Sequence, residues 1–128
     1  MRNEKFYKIR EKIRKIRQSP ENQWSYEIGK ERKRMVKSAL QELKKEKRIQ
    51  NFFPTSDLSF QDIMEGKDMF VSYFNGERIR VCSFSFTGEM WVEEDRKRHP
   101  EVPVIAIKLS DTPDFIKSKI MEVISQNK

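Results

Sequence analysis

Residues 68–88 read DMFVSYFNGERIRVCSFSFTG, and this stretch decides the fold. Met69 to Phe74 is aromatic and apolar, as strands are. Asn75-Gly76 supplies two residues that tolerate positive φ, which predicts a type I′ hairpin turn. Glu77 to Phe86 is strand-like again. On this second strand Ile79, Val81, Ser83 and Ser85 alternate with Arg78, Arg80, Cys82, Phe84 and Phe86. Neither set is plainly polar, so the pair is expected to lie centrally with both faces covered.

Downstream, Glu89 to His99 carries Met90, Trp91 and a mixed-charge run, which reads as a short helix closed before Pro100. Val102 to Leu109 is nearly all apolar and reads as a buried strand. Asp111-Thr112-Pro113-Asp114 is a helix start, with Thr or Asp as cap and Pro in the first turn. Phe115, Ile116, Ile120, Val123 and Ile124 then form one helical face.

Upstream, Ile49 to Phe53 is short and ends at Pro54, the pattern of an edge strand. The polar segment 55–67 offers Leu58, Phe60, Ile63 and Met64 as anchors for one helical turn. A helix is expected from about Ser25 to Lys47, with Ile28, Met35, Val36, Ala39, Leu40 and Leu43 on its apolar side. Before it, Phe6, Ile9, Ile13 and Ile16 recur at spacings of three and four, with Ser19-Pro20 as the stop.

The expectation is an α/β domain with a mixed central sheet of about four strands, flanked by helices. Its crossover between parallel strands is right-handed. Residues 1–18 form an extra basic amphipathic helix, and 19–128 form one domain. At 128 residues the chain has room for one hydrophobic core. No apolar run reaches the roughly 18 residues of a membrane span. A single Cys and a single His exclude a disulfide within the chain and a Cys/His zinc cluster. The expected location is the cytoplasm.

The net charge of +7 is unevenly spread. Residues 1–50 hold 17 Lys/Arg against 7 Asp/Glu, and residues 51–128 hold 10 against 13. Such asymmetry suits a polyanion-facing end. Candidate phosphate contacts for DNA or RNA are Arg10, Lys12, Arg14, Lys15 and Arg17, then Lys30, Lys33, Arg34 and Lys37. They would bind by charge and carry no sequence information. The competing reading is a solvated basic surface. A third is a homodimer in which Phe6, Ile9, Ile13 and Ile16 cover a second copy. A membrane-surface role fits less well, because Phe6 is the only aromatic residue on that stripe.

Five short motifs carry a resemblance. They are Gly29-Lys30-Glu31, Lys67-Asp68-Met69-Phe70-Val71, the strand from Arg78 to Ser85, Arg96-Lys97-Arg98-His99-Pro100, and Val102 to Ile107. In this order they resemble small members of the restriction-endonuclease-like superfamily, the PD-(D/E)xK nucleases, over residues 27–109. The resemblance implies a helix, a three-strand meander, a helix and a strand. It also implies a magnesium ion held by acidic oxygens, with a Lys two residues past a strand acid. Glu31 and Asp68 stand where the helix acid and the first strand acid belong. The acid-x-Lys positions fall on Cys82 and Phe84, or one residue along on Ser83 and Ser85. None of these four can hold a hard cation with charge or stabilise a developing anion.

The domain is therefore expected to be a catalytically inactive nuclease relative without metal or other cofactor. An active, magnesium-dependent nuclease would need displaced ligands such as Glu89 or Glu93. A thiol triad of Cys82, His99 and an Asp is a weaker idea, since a strand Cys on an apolar face is usually a small buried hydrophobe. Trp24 and Trp91 read as core or lid residues before base-stacking ones.

Overall fold

The computed structural model describes residues 4–18, 20–55, 59–60 and 64–127, with side chains described outside 17–25. In chain order the elements are α1 (Glu4–Gln18), α2 (Pro20–Lys45), β1 (Asn51–Pro54), β2 (Met69–Phe74) and β3 (Ile79–Thr87). A 3-10 turn (Glu89–Trp91), α3 (Val92–Arg98), β4 (Val104–Ala106) and α4 (Pro113–Gln126) follow. The sheet order is β1-β2-β3-β4. β1, β2 and β3 form an antiparallel meander, and β4 runs parallel to β3. A parallel neighbour cannot be reached by a hairpin, so the chain passes through α3 to reach β4.

Strand alternation sorts the sheet into two faces. Met69, Val71 and Tyr73 of β2, Cys82 and Phe84 of β3, and Ile105 of β4 are buried against the helices. Val36, Ala39, Leu40 and Leu43 of α2 and Ile116, Ile120 and Ile124 of α4 meet them. These helical positions recur every three or four residues, so one stripe per helix is buried. Thr112 caps α4 by accepting from the Phe115 N–H, and Pro113 occupies the first turn, where its missing donor costs nothing.

Among the described residues the other face is covered at one end only. α3 packs against β4, and Ser85 Oγ lies 3.4 Å from Asp95 Oδ2. Toward the hairpin nothing described covers it, and Phe74, Ile79 and Val81 are exposed. The expectation that the hairpin is covered on both faces is therefore corrected. Among the described residues the sheet is three-layered beside β4 and two-layered beside the turn.

The turn also differs by one residue. Asn75 N–H donates to Arg78 O, so Gly76 and Glu77 are the central pair. Of these only Gly76 has positive φ, at 100°. The expected I′ turn needs positive φ twice and is therefore not formed. The Asn75 side chain is occupied elsewhere, its Oδ1 accepting from the N–H groups of Glu77 and Arg78.

α2 starts at Pro20, five residues before the expected start and at the residue expected to stop α1. Pro is accommodated in a first helical turn, so the same residue can open one helix as well as close another. The edge strand falls at Asn51–Pro54, and the buried run from Val102 narrows to a three-residue strand with Val102 and Ile107 buried beside it. In the segment 55–67, Leu58 and Ile63 lie outside the described residues. Phe60 packs its ring 5.6 Å from that of Phe6.

Candidate functional site

Among the nine candidate phosphate contacts, the structure gathers four. Lys30, Lys33, Arg34 and Lys37, with Ser38 and Gln41, line a groove of about 370 Å³ along α2. Spacings of three and four set these side chains on one flank, away from the stripe of Val36, Ala39, Leu40 and Leu43. Each cation is differently held. Lys30 stands 4.6 Å above the Tyr26 ring and 3.6 Å from Glu27 Oε1. Lys33 Nζ donates to the Thr55 carbonyl at 3.3 Å, tying α2 to the end of β1. Arg34 pairs with Glu31. Lys37 has no ion-pair partner among the described residues. Two carboxylates thus answer four cations, and the groove keeps a positive excess.

The cations of α1 are more dispersed. Lys12, Arg14 and Lys15 are exposed, and Arg14 pairs with Glu11 at 3.0 Å. Arg10 is half-buried, with its guanidinium 6.0 Å from the Phe6 ring centre. The Arg17 side chain lies outside the described residues. The stripe expected to bind a second copy is partly used within the chain. Phe6 is buried, Ile9 and Ile13 are half-buried, and Ile16 is exposed.

Arg32 behaves unlike its neighbours and was not among the candidates. Its Nε donates to the Ile107 carbonyl at 3.0 Å, and its guanidinium lies against Gly88, where an added Cβ would stand 2.6 Å from Nη2. It clamps α2 to the ends of β3 and β4. A run of four charged residues, Glu31 to Arg34, gives no signal that one of them points inward.

The acids expected at a nuclease centre are each engaged. Asp68 Oδ2 accepts from the Phe86 N–H, and Glu31 holds Arg34. Cys82 and Phe84 face the helix-covered core, and burial pushes the Cys82 thiol up, away from the reactive thiolate. His99 stands against Gly66, and Cys82 lies in the core under the helices. Glu89 pairs with Lys108 at 3.3 Å and Glu93 with Arg96 at 2.8 Å. Among the described residues no three of His, Cys, Asp and Glu gather in a group that could hold a metal ion. Trp91 is exposed, and the Trp24 side chain lies outside the described residues. No described helix is long and apolar enough to cross a membrane. Compared with known proteins, the chain matches no family model, no curated protein and no solved structure.

Proposed function

We propose that this protein is a nuclease-like domain without a catalytic centre that binds DNA or RNA through its basic helical surface. The groove of Lys30, Lys33, Arg34 and Lys37 carries the reading, because it concentrates cations where a phosphate backbone can lie across one helix. The sheet order supports the nuclease-like part. A meander followed by a helix and a parallel fourth strand is the arrangement that the resemblance implies. At the two acid-x-Lys positions the chain carries a buried thiol and a buried phenyl ring, which suit packing and not phosphate chemistry.

The test is a salt titration of binding to fluorescent duplex and single-stranded oligonucleotides. If four phosphates are neutralised, affinity for duplex DNA falls by about 100-fold between 50 and 200 mM salt. No binding at the low-salt end, or binding indifferent to salt, would overturn the proposal.

A further inference from the structure

We infer that the half of the sheet that no described residue covers is an interface between two copies of this chain. The alternation that buries Val71 and Cys82 sends Phe53, Phe70, Phe74, Ile79 and Val81 to the opposite face. Four of these are more than half exposed: Phe53 51%, Phe74 63%, Ile79 52% and Val81 58%. They are neighbours across the sheet. Phe74 pairs with Ile79, Val81 pairs with Ser72, and Phe53 pairs with Phe70. An isolated exposed apolar residue needs no explanation, whereas a contiguous set does.

The strand positions of this patch from Phe53 across to Ser83 carry no charged side chain. A phosphate backbone would find no cation there, and a basic or acidic peptide would find nothing to pair with. At the margin Lys67, 5.8 Å over the Phe70 ring, is already 3.1 Å from Glu65. The partner must therefore be apolar, flat and uncharged over the contact. The chain itself presents such a surface, and a two-fold axis sets it against its own copy.

The net charge of +7 does not oppose this pairing. α2 and its basic groove lie on the other side of the sheet. Sheets packed face to face sit about 10 Å apart, and each helix layer adds about 10 Å. The two grooves would thus be separated by roughly 30 Å, well beyond a Debye length of about 8 Å.

The area sets the strength. Half-exposed aromatic and branched side chains of this number leave on the order of 400 Å² of apolar surface per copy. With the rim included, two copies reach only the lower end of specific interfaces, about 1,200 Å². The dimer should therefore be reversible over the micromolar range. Sheet-on-sheet packing would align the two sets of strands to within about 30°.

Sedimentation of the full chain over a micromolar concentration series tests the inference. The expected result is a reversible monomer–dimer equilibrium. Val81→Lys, which puts one lysine from each copy into the contact, should weaken association by about 100-fold or more while the thermal melt is retained. Phe74→Ser is the milder second variant and should shift the equilibrium in the same direction. A wild-type chain that stays monomeric overturns the inference, as does a dimer that survives both substitutions. A monomer whose nucleic-acid binding is lost in Phe74→Ser would also overturn it, by assigning the face to bases.

Discussion

Asp68 Oδ2 accepts a hydrogen bond from the Phe86 N–H at 3.0 Å, while its own N–H donates to Phe84 O at 3.1 Å. The carboxylate does work that a strand would otherwise do. β2 begins at Met69, so beyond Phe84 the β3 donors on that side have lost their strand partner. On the other side Ser85 N–H already turns to Pro103 O. Asp68 extends β2 by one side chain at the point where β3 changes partners.

Asp68→Ala should therefore lower stability by about 1–3 kcal/mol, because it strands the Phe86 donor in a half-buried site. Asp68→Asn keeps a carbonyl acceptor and should lose less. Urea denaturation of the two variants checks this. Equal losses would mean that the negative charge, not the acceptor, matters at this position.

A second carboxylate sets the response to pH. Lys117, buried on α4, places Nζ 2.6 Å from Glu46 Oε2 and 3.5 Å from Asp114 Oδ1. The hydrogen bond from Lys117 holds the Glu46 carboxyl below its ordinary 4.5. The same bond holds the Lys117 ammonium above its ordinary 10.5. Glu46 adds stability that is complete above pH 4.5 and disappears as pH falls through its lowered folded value. Lys117 adds stability that is complete below pH 10.5 and disappears as pH rises through its raised folded value. Unfolding midpoints should be flat between these limits and fall on both sides. In Glu46→Gln both limbs should be shallower than in the wild type. Unchanged limbs would remove the pair as their origin.

The helices were legible because their apolar stripes follow one rule. Val36, Ala39, Leu40 and Leu43 were read from spacing alone and are fully buried. Strand existence was legible for a similar reason, from Phe70 to Phe74 and from Ile79 to Phe86. What spacing does not carry is the location of the cover. Ile79 and Val81 are as apolar as Val71, yet they face outward. A periodic pattern says that a face avoids water but not what shields it. Pro20 alone does not say which helix it serves, because a proline suits both a helix stop and a first turn. The inward turn of Arg32 depends on a carbonyl 75 residues away, which no local pattern encodes.

Gly66 is a position where only glycine fits. Its φ is 70°, and an added Cβ would lie 2.2 Å from His99 Cδ2 and 2.4 Å from Cγ. Gly66→Ala should lose about 1–2 kcal/mol from the left-handed backbone alone, and more because the imidazole must move. In a His99→Ala background only the backbone part should remain. A double-mutant cycle by chemical denaturation separates the two, and additive effects would show that the ring yields freely.

The two kinds of cation on α2 should fail in different ways. Lys37→Gln removes a groove charge and should reduce the salt slope of duplex binding by about one, with stability unchanged. Arg32→Gln removes the clamp on Ile107 O and should cost about 1.5–3 kcal/mol of stability, with the slope retained. Anisotropy titrations and denaturation curves on the same two proteins give both readouts. The opposite pattern would move the binding surface from the groove to the sheet end of the helix.

Phe84 bears on the catalytic question most directly. It is fully buried, pairs in register with Met69, and belongs to the core shared with Leu40 and Leu43. On the nuclease-like reading proposed above, a catalytic lysine would stand here. Phe84→Lys would forfeit the ring's packing, which is worth about 3–5 kcal/mol when a buried Phe is truncated. It would also bury an ammonium or force it to lose its proton, at a further cost of several kcal/mol. Together these approach the whole stability of a domain this size, about 5–15 kcal/mol. The variant should therefore be unfolded by circular dichroism, and Cys82→Glu/Phe84→Lys should be no better. β3 would have to slip by one residue to present that lysine to the other face, and the slip would carry Cys82 out of the core with it. A folded double variant that cleaves DNA in magnesium would show that the site is dormant, not built over.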